Sequence, residues 1–166
     1  MPVQLPAMAK YAVLALVAVS AACATTGGGD GAAKEQVAAA TRAWIDAMGS
    51  HDQERVLALY APDALLWGTT SPTIRDNPKS IRQYFDFLPT APAYYKGVLG
   101  EQHIRVYGDM AINSGTYTFI GPALDAVGKP VSRPGRFTFV YEIRDGRWLI
   151  VDHHSSAVPA PKPATK

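Results

Sequence analysis

A chain of 166 residues, 48% hydrophobic and 18% charged, is long enough for one domain with a buried core and ordinary in composition for a globular protein. Sixteen Lys and Arg against fourteen Asp and Glu leave a formal charge of +2 with no basic stripe and no run of like charges, which argues against nucleic acid as a partner and against a charged tail. The single cysteine, Cys23, excludes an internal disulfide.

The first 22 residues read as a signal peptide. Tyr11 to Ala22, YAVLALVAVSAA, is an apolar run of small residues, too short to span a bilayer comfortably and right for a signal core. Cys23 follows directly, and a lone cysteine in that place resembles the lipidated cysteine of bacterial lipoproteins. The usual lipidation box has Leu or a similar residue three positions earlier; here that position is Ser20, followed by Ala21 and Ala22. The alternative is cleavage at a small-residue site, Ser20-Ala21-Ala22 or Ala22-Cys23-Ala24, with release into the periplasm. Either way the expectation is an exported protein that meets the membrane only through a lipid anchor.

Residues 23–33, with the Gly/Thr run ATTGGGDG, are expected to form a flexible linker, and residues 160–166 a loose Pro/Ala/Lys tail. Between them, 34–159 form the domain. Ala32 to Ser50 has helical period, with Val37, Thr41, Trp44, Ile45 and Met48 on one face. Asp52 is placed to cap a second helix that carries Val56, Leu57, Leu59 and Tyr60, and Ala61-Pro62-Asp63 ends it. Ala64 to Thr69 reads as a short strand with Trp67. Asn77 and Pro78 open a third helix running to Leu88, with Ile81, Tyr84, Phe85 and Leu88 on its apolar face.

The remainder alternates as strands: Tyr95–Tyr107, Met110–Ile120, Arg136–Ile143 and a closing strand after Asp145-Gly146, a strong hairpin turn signal. Gly121 to Gly135 is expected to be a long connection. In Arg136–Ile143, alternation puts Phe137, Phe139, Tyr141 and Ile143 on one side. On the closing strand, simple alternation puts Trp148, Ile150, Asp152, His154 and Ser156 on one face and Leu149, Val151, His153 and Ser155 on the other; a single bulge would swap the later residues. A strand that begins apolar and ends polar suggests the floor and mouth of a pocket. Helices first and strands after is an α+β pattern.

These features together resemble the nuclear transport factor two-like superfamily, which implies a cone-shaped fold with three N-terminal helices packed in a strongly curved antiparallel sheet. Asp145-Gly146-Arg147-Trp148-Leu149, then Val151, His154, Ser156 and Pro159, resembles the final strand of the calcium/calmodulin-dependent protein kinase II association domain. Asp125, Gly128 and Pro130 resemble that domain's Asp-x-x-Gly-x-Pro turn, and the Trp-…-His-His-Ser-Ser ending is similar to bacterial stand-alone relatives of the SgcJ/EcaC type. The resemblance implies a homodimer or higher oligomer built through the sheet and a cavity for a small molecule. It implies no kinase activity. The kinase hub lines its cavity with arginines, and Tyr117 and Phe139 fall at two such positions here.

Candidate ligand-pocket residues are Tyr60, Trp67, Tyr117, Arg136, Phe139, His154 and Ser156. Asp152, on the same face as His154 about 7 Å along the strand, could orient the imidazole. His153 points the other way, toward a partner subunit or solvent. Adjacent strand residues face opposite sides and His51 and His103 are distant, so no metal site is expected, and no cofactor. Ser155 and Ser156 lack a nucleophile elbow. Two functions follow: a ligand-binding or assembly module, or a small cone-fold enzyme of isomerase, cyclase or dehydratase type with Asp152 or His154 as base and Tyr60 or Tyr117 as donor. His154→Ala is expected to weaken ligand binding and spare the fold.

Overall fold

The computed structural model describes residues 27–160. The signal peptide and Cys23 therefore lie outside the described residues, as do residues 161–166 of the tail. The architecture is α+β, with N-terminal helices held against a curled, unclosed five-stranded sheet that forms the cone.

The first helix, α1 (Gly27–Gly49), buries the stripe expected of it: Val37, Thr41, Trp44, Ile45 and Met48 are all in the core. It starts within the expected linker rather than after it. Asp30 in its first turn suits the positive end of the helix dipole. The helix lies against the long strand β2 (Lys96–Tyr107). Gly97 makes that approach possible, because a Cβ there would sit 3.2 Å from the Ile45 side chain.

Asp52 caps α2 (Gln53–Leu57), accepting from the backbone N–H groups of Glu54 and Arg55. Asn77 caps α3 (Pro78–Tyr84) through a reciprocal pair with Ser80, and Pro78 stands where its missing N–H costs nothing. This helix ends at Tyr84, a turn earlier than expected, and Leu88 is buried from a separate 3-10 turn, Leu88–Thr90.

Between α2 and α3 runs β1 (Tyr60–Trp67), which begins four residues earlier than the sequence suggests and carries a break in register between Tyr60 and Leu65 around Pro62. The sheet order is β1-β5-β4-β3-β2. Strands β2 to β5 form an antiparallel meander, and β1 joins its edge parallel to β5.

The expected long connection after Ile120 is mostly strand. β3 (Met110–Leu124) and β4 (Pro130–Arg144) continue pairing, so the turn is only Asp125 to Lys129. Pro122 is accommodated because it falls inside the register break between Ile120 and Leu124, where no ladder donor is needed. The Asp125 carboxylate accepts from the N–H groups of Val127 and Lys129, and Gly128 takes the left-handed conformation the turn needs. Asp145 and Gly146 both have positive φ, as a type I′ turn requires, and lead into β5 (Arg147–Ala157).

The decisive irregularity is in β5. Tyr141 pairs with Ile150 and the next residue on β4, Val140, pairs with Asp152. Val151 is therefore one extra residue, a bulge, and it reverses the alternation from there on. Ile150, His153 and Ser155 face the core; Asp152, His154 and Ser156 face outward. On β4, Phe137, Phe139 and Tyr141 are buried as expected, whereas Ile143 at the strand end is exposed.

Candidate functional site

A cavity of about 560 Å³ opens at one end of the cone, between the ends of β1 and α3 and the wide ends of β3, β4 and β5. Its walls are aromatic: Trp44 from α1, Tyr84 and Phe85 from α3 and its end, Tyr95, and Tyr117 and Phe119 from β3. Trp44 touches Tyr117, Phe119 and Phe139 with ring centroids 5.2–6.1 Å apart, so floor and wall are one aromatic cluster. Tyr117 has room to lie flat because residue 135 is glycine; a Cβ there would come within 2.6 Å of the ring.

Polar groups gather at the mouth. Thr69 donates to Ser155 Oγ twice, from its backbone N–H at 3.0 Å and its hydroxyl at 2.9 Å, joining the end of β1 to β5. The loop continuing from Thr69 is held by Arg75, which donates to Ser71 Oγ at 3.0 Å and to the Ser80 carbonyl at 2.8 Å and stands 5.6 Å above the Tyr84 ring. Among the described residues Arg133 is the single charged one of the lining, at the exposed rim. Burial pushes the Tyr117 hydroxyl up to about 12, with the nearby Ser155 and Thr69 pulling the other way. Burial also raises Tyr95, so both phenols are neutral at physiological pH.

Behind the cavity floor sits a buried polar triplet. Trp44 Nε1 donates to the Tyr60 hydroxyl at 3.1 Å, which is 2.8 Å from His153 Nδ1. Trp44 has only a donor, so the Tyr60 hydrogen goes to Nδ1 and the imidazole carries its proton on Nε2. That Nε2 has no hydrogen-bond partner among the described residues. Burial first, and the charge of His154 second, hold the His153 pKa down at about 3. His153 is thus a dry, neutral core residue packed between Trp44 and Phe139, and not the partner-facing side chain that alternation implied. A second buried network links α1 to the sheet: Tyr141 and Asn113 both donate to Thr41 Oγ1, at 2.9 and 2.7 Å, while Thr41 donates to the Val37 carbonyl.

Of the seven pocket residues expected from sequence, Tyr117 lines the cavity. Tyr60 and Phe139 lie deeper, in the core behind it. Trp67, Arg136, His154 and Ser156 stand on the outer face of the sheet: Trp67 pairs with His154, and Arg136 donates to Ser156 Oγ at 3.1 Å. Asp152 is with them, half-buried, its carboxyl raised by burial and partly restored by His154. On β5 the Val151 bulge is the physical reason, turning Asp152, His154 and Ser156 outward, whereas Arg136 follows the unbroken alternation of β4, on the face opposite Phe137 and Phe139. Neither proposed base can therefore reach a ligand in the cone. His103 is exposed beside Glu101 at 3.0 Å and His51 Nε2 contacts the Tyr95 carbonyl at 3.3 Å; among the described residues no three His, Cys, Asp or Glu converge.

Beyond Tyr117, sequence reasoning missed the lining, from the aromatic walls Trp44, Tyr84, Phe85, Tyr95 and Phe119 to Thr69, Ser155 and the rim from Ser132 to Gly135. The signal for Ser155 was present, since one bulge on a β5 of mixed character exchanges it with Ser156.

Comparison with known proteins agrees with this geometry. Residues 33–159 match the calcium/calmodulin dependent protein kinase II association domain family. A solved association-domain structure from Xanthomonas campestris is 40% identical, covers 74% of this chain and 86% of that chain, and superposes with a TM-score of 0.65. An NTF2-like family protein from Streptomyces avermitilis, described as a dehydratase, is 21% identical over 78% of this chain and 99% of that chain, with a TM-score of 0.68. The association domain of C. elegans CaMKII is 20% identical over 77% and 98%, with a TM-score of 0.62. The last two likenesses concern the fold alone. Among curated proteins none matches. With a cone of this topology and a family match across almost all of the described domain, the chain belongs to the calcium/calmodulin dependent protein kinase II association domain family.

Proposed function

We propose that this protein is an exported, self-associating module that holds a small apolar molecule in the mouth of its cone. The observation that carries the reading is the cavity: about 560 Å³, within the range of small-molecule sites, with aromatic walls and a few convergent hydroxyls. Among the described residues its lining contains no carboxylate and no imidazole, so binding is supported better than acid–base chemistry. The alternative, an isomerase-, cyclase- or dehydratase-type enzyme using Asp152 or His154, draws support from the dehydratase likeness in fold, but its bases face outward.

Self-association through the sheet is proposed from the same outward face. It carries Ile112, Ser114, Thr138, Val140 and Leu149, all half-buried, flanked by Trp67 and Val98, each 50% exposed. A face of hydroxyls and branched aliphatics suits a sheet-on-sheet contact between two copies. Export, with Cys23 as lipid anchor or near the cleavage point, rests on the apolar core at residues 11–22.

The test is native mass spectrometry of the chain from Ala24 onward, purified from its own host. An oligomer with a reproducible small adduct is the expected result. A bare monomer would remove both halves of the reading. Thr138→Arg, in the middle of the outer face, is expected to reduce the oligomer to monomer. Growth with labelled palmitate tests the anchor: label lost on Cys23→Ser is expected, and an unlabelled wild-type protein rules lipidation out.

A further inference from the structure

The chemistry of the cavity narrows what it holds. Two pairs of rings are stacked nearly parallel in and behind its wall, Tyr117 on Phe137 at 10° and Tyr95 on Phe119 at 9°. Such flat surfaces favour a flat ring partner over a flexible chain. Among the described residues the lining offers no buried counter-charge, since Arg133, its one charged residue, stands at the exposed rim. A charged group carried inside would lose its water without compensation.

The hydrogen bookkeeping at Ser155 supplies the polar contact. Ser155 is 95% buried, being 5% exposed, and lines the cavity. Its oxygen accepts from the Thr69 N–H and from the Thr69 hydroxyl, which occupies both acceptor positions. Its own hydrogen is therefore an unused donor. Tyr117, also 5% exposed, has no hydrogen bond of good geometry from its hydroxyl among the described residues, although Ser155 and Thr69 are near enough to influence its pKa. Two buried hydroxyls thus border the same aromatic chamber, and among the described residues neither hydrogen is taken up in a bond of good geometry, although Ser155 and Thr69 lie close to the Tyr117 hydroxyl.

We infer that the cavity binds an uncharged, flat ring compound whose carbonyl oxygen accepts from the Ser155 and Tyr117 hydroxyls. This rests on the small-molecule reading above and specifies its ligand class. The ring stacks among Trp44, Tyr95 and Tyr117, and the carbonyl takes the two hydrogens that no well-formed bond among the described residues uses.

Equilibrium dialysis of the protein against 9-fluorenone, fluorene and 1-naphthoate tests it. Fluorene is the same ring system without the carbonyl, and naphthoate is a flat anion. Fluorenone is expected to bind about 5- to 100-fold more tightly than fluorene, the size of two hydrogen bonds made in a dry site. That ratio should fall by about 3- to 10-fold in Ser155→Ala, the loss of one of the two bonds. Because Ser155 also anchors Thr69, Tyr117→Phe provides a second variant that removes only a hydroxyl, and it should lower the ratio too. Equal binding of fluorenone and fluorene, or a ratio untouched by both variants, overturns the carbonyl assignment and leaves the cavity as an apolar site. Naphthoate binding tightest, and losing affinity in Arg133→Gln, overturns it in favour of an anion site. Binding of none of the three overturns it together with the small-molecule reading.

Discussion

His153 and His154 are neighbours in the chain and strangers in space. One is sealed among Trp44, Tyr60 and Phe139; the other is exposed opposite Thr138 and Trp67. The inner residue is held neutral by desolvation first and by the charge of its neighbour second. What separates them is the ordinary alternation of a strand; what decides which is inner is the single extra residue Val151. Chemistry on this sheet depends on face before it depends on residue type.

The largest effect expected from that contrast is acid sensitivity. Burial holds His153 at about 3, against about 6.5 for a free imidazole. Between those values the unfolded chain binds a proton that the folded chain refuses, so stability falls as pH falls. The slope is about 1.4 kcal/mol per pH unit, up to roughly 5 kcal/mol over the 3.5 units, fully expressed only near pH 3. Urea denaturation across this range should show it, and His153→Leu should flatten that part of the curve. A variant whose pH dependence parallels the wild type would place the acid sensitivity elsewhere.

Next comes packing. Phe139 is fully buried in the ring cluster, and Phe139→Ala should cost about 3–5 kcal/mol by denaturant unfolding. On the opposite face, Val98→Ala, at a site 50% exposed, should stay within about 0.5 kcal/mol. Comparable costs at the two sites would mean that the outer face is covered as completely as the core, as a tight sheet-on-sheet oligomer would cover it.

Gly135→Ala is a smaller and more local intervention. Its new Cβ would stand 2.6 Å from Tyr117, so the ring must swing into the cavity. We expect a cost of about 1–3 kcal/mol and loss of any bound adduct in native mass spectrometry. An adduct retained at wild-type level would show that the ligand sits away from Tyr117.

These effects show which parts of the molecule the sequence discloses. The apolar stripe of α1, the Asp52 and Asn77 caps and the Asp145-Gly146 turn rest on local rules, and each stands where those rules put it. The α+β cone follows from helices before strands. The limits of β3 and β4 do not follow, because Pro122 and Pro134 read as breakers until the partner strand shows which donors the ladder omits. The face of Ser155 is hidden for a related reason. A bulge is a property of two paired strands, so β5 alone contains both arrangements and β4 chooses between them. That one choice moved His154 and Ser156 out of the expected site and brought Ser155 in.

The smallest expected effect is the sharpest test of the face assignment. His154 is exposed on the outer face, so His154→Ala should change stability by no more than about 0.5 kcal/mol. It should also leave cavity occupancy unchanged, against the weakening that simple alternation leads one to expect. Its trace should appear at Asp152, on the same outer face. Burial raises that carboxyl and His154 lowers it again, so removing the histidine should move the Asp152 pKa further up. An NMR titration of the Asp152 side-chain carbonyl in both proteins measures the shift. An upward move with the adduct intact fixes both residues on the outer face. An emptied cavity and a stationary Asp152 would reverse the sheet, putting His154 inside and making the Val151 bulge the first thing to re-examine.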